Sequence, residues 1–180
     1  MNIITVGLSH KTAPVEVREK LSFPESKMAE VLYRLCNYEG IEESMILSTC
    51  NRVEIYAVAR DIEDGVLQIK RFLRESNNTI KEEEVVPHLY IYTADDAVRH
   101  VFRVAASLDS MVVGESQILG QLKDAFECAL SHKCTKVILN RLLKKAISVA
   151  KRIRTETKIA ESAVSVSSVA VELAIKIFGS

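Results

Sequence analysis

The sequence is poor in chain breakers, with 6 Gly and 3 Pro in 180 residues, and it has no net charge, because 24 Lys+Arg balance 24 Asp+Glu. With 48% hydrophobic residues, that scarcity excludes collagen-like, low-complexity and disordered classes and describes a globular chain. The balanced charge excludes a global field of the kind that draws nucleic acids or membranes. No basic segment precedes the first apolar stretch, which is also far too short for a signal core or a membrane span, so a cytoplasmic location is expected. Neither G-x-G-x-x-G nor G-x-x-x-x-G-K-[ST] occurs, so neither a dinucleotide fingerprint nor a P-loop is encoded. Cys36, Cys50, Cys128 and Cys134 fall at irregular spacings, and without a secretory signal reduced thiols are expected. Cys128, His132 and Cys134 form a C-x3-H-x-C cluster that lacks both the paired spacing and the fourth ligand of structural zinc, so no metal is expected.

What is present changes character halfway along the chain. Ile3 to Leu8 reads as a buried strand, followed by a loop or short turn through HKTAPVEVREKLSF. A helix opens at Ser22, Pro24 and Glu25, carries Met28, Val31, Leu32, Leu35 and Cys36 at helical spacing, and ends near Gly40. Ser44 to Thr49 and Val53 to Ala59 read as strands joined by a tight turn at Cys50-Asn51-Arg52. A helix over Ile62 to Glu75 and a strand over Val86 to Tyr92 complete a βαββαβ order. The expected class is α+β, with a ferredoxin-like subdomain over 1–93. After Thr93 every segment reads helical, near 94–108, 116–131, 136–156 and 162–178. This divides the remainder into a helical subdomain over 94–158 and a helix over 159–180 that is apolar nearly all round and calls for burial on more than one side. Between Lys133 and Lys158 nine basic residues face the single Glu156, a pattern compatible with a solvated face or with phosphate binding.

The chemistry centres on Cys50. A cysteine at a strand end is ordinarily small apolar filling. Here Thr49 and Asn51 flank it with hydrogen-bonding groups, and Arg52, two residues on, would favour the thiolate, the form that attacks carbonyls. Cys36 and Cys128 lie on apolar helix faces and read as core. A thiol that attacks an ester needs a proton carrier near neutrality, and His100 lies on the helix that starts where the sheet ends. Glu115, Gln117 and Gln121 place a carboxylate and two amides in a glycine-flanked turn and the helix that follows, suited to a small polar ligand, although capping by Ser116 explains that stretch equally well.

Gly7 to Phe23, Ser48 to Tyr56, Leu108 to Lys123 and Ala150 to Ile159 together resemble the signature blocks of the glutamyl-tRNA reductase family, in the family's order. The resemblance implies an N-terminal catalytic domain that is followed in the family by an NADPH-binding domain and a helical dimerisation domain. It puts the nucleophile on Cys50 and the important histidine on His100. It puts substrate contacts on Thr49, Asn51, Arg52, Ser110, Glu115, Ser116, Gln117 and Gln121, with Arg52 facing the substrate carboxylate. It further implies glutamyl-tRNA(Glu) as substrate, an enzyme thioester, NADPH for the full-length enzyme with no cofactor held by this chain, a homodimer, and contact with the next enzyme, glutamate-1-semialdehyde aminomutase, in porphyrin synthesis. The same topology would also suit an RNA-recognition or small-molecule regulatory module. However, the third strand carries one aromatic, Tyr56, rather than a base-stacking pattern, and a regulatory module needs no reactive cysteine.

Overall fold

Four strands form one antiparallel sheet in the order β2–β3–β1–β4, with β1 Asn2–Ser9, β2 Ile41–Ser48, β3 Arg52–Ala59 and β4 Tyr90–Thr93. The computed structural model describes residues 1–76, 81–160 and 166–178. Helices α1 (Val15–Leu21) and α2 (Met28–Cys36) lie between β1 and β2, and α3 (Ile62–Ser76) and the short α4 (Glu82–Val85) between β3 and β4. Then come α5 (Ala94–Ala105), α6 (Gln117–Ser131), α7 (Val137–Glu156) and α8 (Val166–Phe178). No helix among the described residues is long and apolar enough to cross a membrane.

Side chains alternate across a strand, so the register assigns each residue to a face. Ile4, Val6 and Leu8 share one face with Ala57, Ile55 and Val53, and α2 and α3 cover it. The approach of α3 is close enough that a Cβ on Gly65 would meet Ala59 and Ile4. Thr5 and Gly7 share the other face with Tyr56 and Glu54 of β3 and with Tyr92 and Tyr90 of β4. There α5, α6 and α7 pack. Both faces are therefore covered, and every residue of β3 is buried. The buried residues of the sheet and of the later helices form one connected core, from Ile4 to Ala150.

Several expectations shift. The segment read as a loop after β1 contains α1, where Glu16 lies in the first turn and Arg18 and Lys20 in the last, each complementing the helix dipole. The fourth strand begins only at Tyr90, because Pro87, which has no N–H to give a ladder, sits in the 3-10 turn Val86–His88. The helix expected over 94–108 ends at Ala105, and Ser107 follows with φ of 60°. Residues 162–165 of the last expected helix lie outside the described residues. Further along, α8 leaves Val171, Leu173, Ile175, Ile177 and Phe178 exposed.

The cysteine reading needs correction. Cys36 and Cys134 form a disulfide, with Cα atoms 5.8 Å apart across a separation of 98 residues, while Cys50 and Cys128 are free. Spacing could not show this pair. β2 brings its partners together: α2 packs on the strand, and Ser44 N–H donates to the Cys134 carbonyl at 2.8 Å.

A second tie at this edge was equally hidden. Glu43 of β2 is buried, and its carboxylate accepts from the N–H groups of Lys136 (2.8 Å), Ile138 (2.9 Å) and Leu139 (2.8 Å). It caps α7 from another element, meeting donors that the helix leaves unpaired and the positive end of its dipole. From that end α7 buries Leu139, Leu142, Leu143, Ala146 and Ala150 and exposes Arg141, Lys144, Lys145, Lys151 and Arg152. Glu43→Ala should cost about 2–3 kcal/mol, since it strands buried donors. Urea unfolding would read the loss, and an unchanged midpoint would show that α7 is capped otherwise.

Candidate active site

The turn that carries Cys50 is held by its own residues. Thr49 N–H donates to the Arg52 carbonyl at 2.8 Å, and Thr49 Oγ1 accepts from the N–H groups of Asn51 (3.2 Å) and Arg52 (3.1 Å). His10 N–H reaches the Asn51 carbonyl at 2.8 Å. On the outer side, Arg18 Nη1 donates to the Cys50 carbonyl at 2.6 Å and to Asn51 Oδ1 at 3.1 Å. The free thiol of Cys50 is thus exposed on a braced turn.

Beside the thiol is a cavity lined by Thr49, Cys50, Asn51, Arg52, Ser110, Met111, Glu115, Gln117, Ile118 and Gln121. Every nominated residue except Ser116 and His100 is in this lining. Ser110 Oγ is buried there without a hydrogen-bond partner among the described residues, so its hydrogen-bonding capacity is free for a ligand or a water. Ser116 is the N-cap residue of α6, but its side chain makes no capping bond, so the bland explanation of that stretch is not what forms. The loop wall is pinned from behind. Ser107 Oγ donates to the Glu115 carbonyl at 2.5 Å, and Arg154 of α7 donates to the carbonyls of Gly114 (3.1 Å) and Glu115 (3.3 Å). Gly114 is required here: its φ is +87°, and a Cβ would lie 2.0 Å from the Ile159 carbonyl oxygen.

Arg52, which is 1% exposed, is held from within. Its Nη1 donates to Glu54 Oε1 at 2.7 Å and its Nη2 to the Asp109 carbonyl at 2.6 Å. Asp109 in turn accepts from Lys11 at 2.5 Å. Glu54, fully buried, also accepts from the hydroxyls of Tyr56 and Tyr90 and from His100 Nε2 at 2.8 Å. Gly7 makes this possible. It pairs with Glu54 on one side and Tyr90 on the other, and a Cβ there would come within 2.8 Å of Glu54 Cγ. His100 stacks on Tyr92, with ring centroids 4.6 Å apart, and lines a separate cavity with Tyr92, Asp96, Arg99, Arg103 and Asp109. Among the described residues its hydrogen-bonded link to Arg52 runs through Glu54, and Asp109, which lines the same cavity, also bonds Arg52. Sequence reasoning missed Glu54, Tyr90, Asp109, Arg18 and Arg154. The first had a signal, since Arg52, Glu54 and Tyr56 put a polar stripe at period two on an otherwise apolar strand.

Burial by itself would raise the Glu54 carboxyl. The Arg52 charge and the hydrogen bonds of His100 and Tyr56 outweigh it and hold the group down to about 2. Burial and the Glu54 charge both push Tyr90 and Tyr56 up, so each keeps its proton and donates. A carboxyl depressed on folding stabilises fully above its unfolded value, about 4.3, and the contribution is lost as pH falls from there through the folded value. Thermal stability should therefore drop between about pH 4.5 and 2, and Glu54→Gln should flatten that drop. At neutral pH the same change should cost about 3–5 kcal/mol by removing the buried carboxylate that pairs with Arg52 and leaving it only the longer ion pair with Asp109 Oδ2, at 3.4 Å. A variant as stable as the parent would remove Glu54 from its central place.

Residues 6–157 match the family described as glutamyl-tRNAGlu reductase, N-terminal domain. The glutamyl-tRNA reductases of Geotalea uraniireducens and Trichlorobacter lovleyi are 61% and 59% identical over 179 residues, 99% of this chain and 41% of each relative. A solved structure, the glutamyl-tRNA reductase from Methanopyrus kandleri, superposes with a TM-score of 0.74 at 35% identity, covering 99% of this chain and 40% of that one. The chain thus spans about two-fifths of the length of the relatives it matches. With the cysteine turn, its polar cavity and the matched length in view, the chain belongs to the glutamyl-tRNA reductase family, whose N-terminal domain it represents.

Proposed function

We propose that this chain carries out the acyl-transfer half of glutamyl-tRNA reduction, with Cys50 as nucleophile. The observation that carries the reading is an exposed thiol on a braced turn, next to a polar cavity with an unsatisfied buried hydroxyl. The Cys50 thiolate attacks the ester carbonyl carbon of glutamyl-tRNA(Glu). A C–S bond forms, the C–O bond to the terminal ribose breaks, and the proton given up by the thiol balances the one gained by the released hydroxyl. Thr49 and Asn51 hold the turn, and Ser110, Glu115, Gln117 and Gln121 contact the glutamyl group. Arg52 offers the substrate carboxylate a cation whose orientation Glu54 and Asp109 have already set. His100 acts on Arg52 through Glu54 and is a positioning residue in this reading. Ser116, at the exposed mouth of α6, meets the substrate from outside.

In the family NADPH supplies the hydride that turns the thioester into glutamate-1-semialdehyde. The residues of this chain do not fit that cofactor. No glycine-rich phosphate loop is present in the sequence. The hydride step is accordingly left to the rest of the enzyme. The ferredoxin-like assignment of 1–93, supported by the strand order, belongs to this proposal, as do the boundaries 94–158 and 159–180. So do the cytoplasmic location, the homodimer and the hand-over to glutamate-1-semialdehyde aminomutase, which rest on family likeness. The RNA-recognition alternative is disfavoured because the sheet face that would stack bases is covered and Tyr56 is buried.

Mixed with glutamyl-tRNA, the chain should release tRNA and carry a glutamyl group on Cys50, visible by mass spectrometry, with no semialdehyde when NADPH is added. Cys50→Ser should abolish the adduct. Undiminished ester cleavage in that variant, or semialdehyde from the chain alone, would overturn the proposal.

A further inference from the structure

Arg18 has no part in the acyl transfer as described, yet it touches the nucleophile's own backbone. Its two hydrogen bonds, to the Cys50 carbonyl and to Asn51 Oδ1, go to neutral acceptors. Among the described residues it makes no ion pair, and its Nε is buried without a partner.

The other charged groups around the turn are already matched. Arg52 is neutralised by Glu54, and Lys11 is paired with Asp109. Burial and the Arg52 charge hold the His10 imidazole below its ordinary value, which favours its neutral form. Glu115, in the cavity lining, adds a negative charge. Glu115 stands on the loop wall, whereas Arg18 is the cation hydrogen-bonded to the Cys50 turn itself, and among the described residues no carboxylate is paired with it.

We propose that Arg18 is a positioning and selectivity residue for the Cys50 site: it fixes the Cys50–Asn51 turn from outside and makes the approach to the thiol cationic, favouring acyl donors that bear negative charge. The proposal rests on Cys50 being the nucleophile, but its test reads the thiol and not turnover. An unpaired guanidinium near a partly exposed sulfur attracts an anionic reagent more than a neutral one, and salt screens the difference. A purely structural role would slow both reagents together and leave their ratio unchanged.

The measurement is the rate of Cys50 carboxymethylation by iodoacetate against carbamidomethylation by iodoacetamide, followed peptide by peptide so that Cys128 is read separately. Relative to N-acetylcysteine amide, which carries no carboxylate, the parent chain should favour iodoacetate by about fivefold to tenfold at low salt, and the preference should shrink as salt is added. Arg18→Gln should remove it and Arg18→Lys should keep most of it. A parent chain without the preference would overturn the idea even if Arg18→Gln failed to fold, as would an unchanged ratio in a folded Arg18→Gln. Ester cleavage that survived Cys50→Ser would sink the nucleophile reading while leaving the reagent ratio as measured, so the two failures are distinguishable.

Discussion

The buried carboxylate of Glu54 is the constraint on which the site depends. An ionised carboxylate in a fully enclosed position is tolerated only when charge and hydrogen bonds surround it. Here the donors come from separate elements: Arg52 and Tyr56 from its own strand, Tyr90 from β4 and His100 from α5. Each donor then has a consequence of its own. Tyr90 reaches it from the edge strand β4 across Gly7, and His100 brings α5 onto the sheet face that Gly7 leaves open. Arg52, once turned toward Glu54, also reaches the Asp109 carbonyl and so fixes the loop that forms the cavity wall. The carboxylate thus links correct assembly of sheet, helix and loop to the orientation of Arg52 in the lining of the Cys50 cavity.

Much of the fold was legible because its signals are local. The two strands around Cys50 and the helices Ile62–Ser76 and Val137–Glu156 follow from apolar periodicity, and the turn at Cys50-Asn51-Arg52 from the few residues left between strands. What stayed hidden was set by tertiary partners. The Cys36–Cys134 disulfide joins residues 98 positions apart. Glu43 looks like any acidic residue at a strand start until α7 arrives to be capped by it. Pro87 was read into a strand because the apolar run around it is strand-like, and only its missing N–H excludes it.

The site divides along the same line. Of the residues lining the Cys50 cavity, Cys50, Glu115, Gln117 and Gln121 could be nominated from residue type and spacing, while the substrate roles of Thr49, Asn51 and Ser110 came from the family resemblance. The residues that orient them were mostly hidden, since Arg18, Asp109 and Arg154 act through distant backbone carbonyls or buried pairs, and Glu54 alone of them showed locally, in the polar stripe of β3. Arg154 is the clearest case. Sequence placed it in a basic stretch that suited a solvated face or phosphate binding, yet its guanidinium is committed to the Gly114 and Glu115 carbonyls. The cationic surface of α7 is thereby reduced to exposed side chains such as Arg141, Lys144, Lys145 and Lys151, because Arg152 is also paired, with Glu156.

The two walls of the cavity are not equally fixed, and this bears on how a substrate could enter. On one side the Cys50 turn is part of a hairpin whose strands lie in a sheet buried on both faces, and it is braced by Arg18, His10 and Thr49. On the other, residues 108–116 belong to no regular element and are held by a few contacts: Arg52 to Asp109, Ser107 and Arg154 to the Gly114–Glu115 carbonyls, and the close seat of Gly114 on Ile159. Leu108, Met111 and Val113 of this loop are exposed, so little apolar burial secures it. A space of about 20 Å³ holds little more than a water, and a glutamyl group is far larger. Of the two walls, the loop is the one held by fewer contacts and so the one more able to yield.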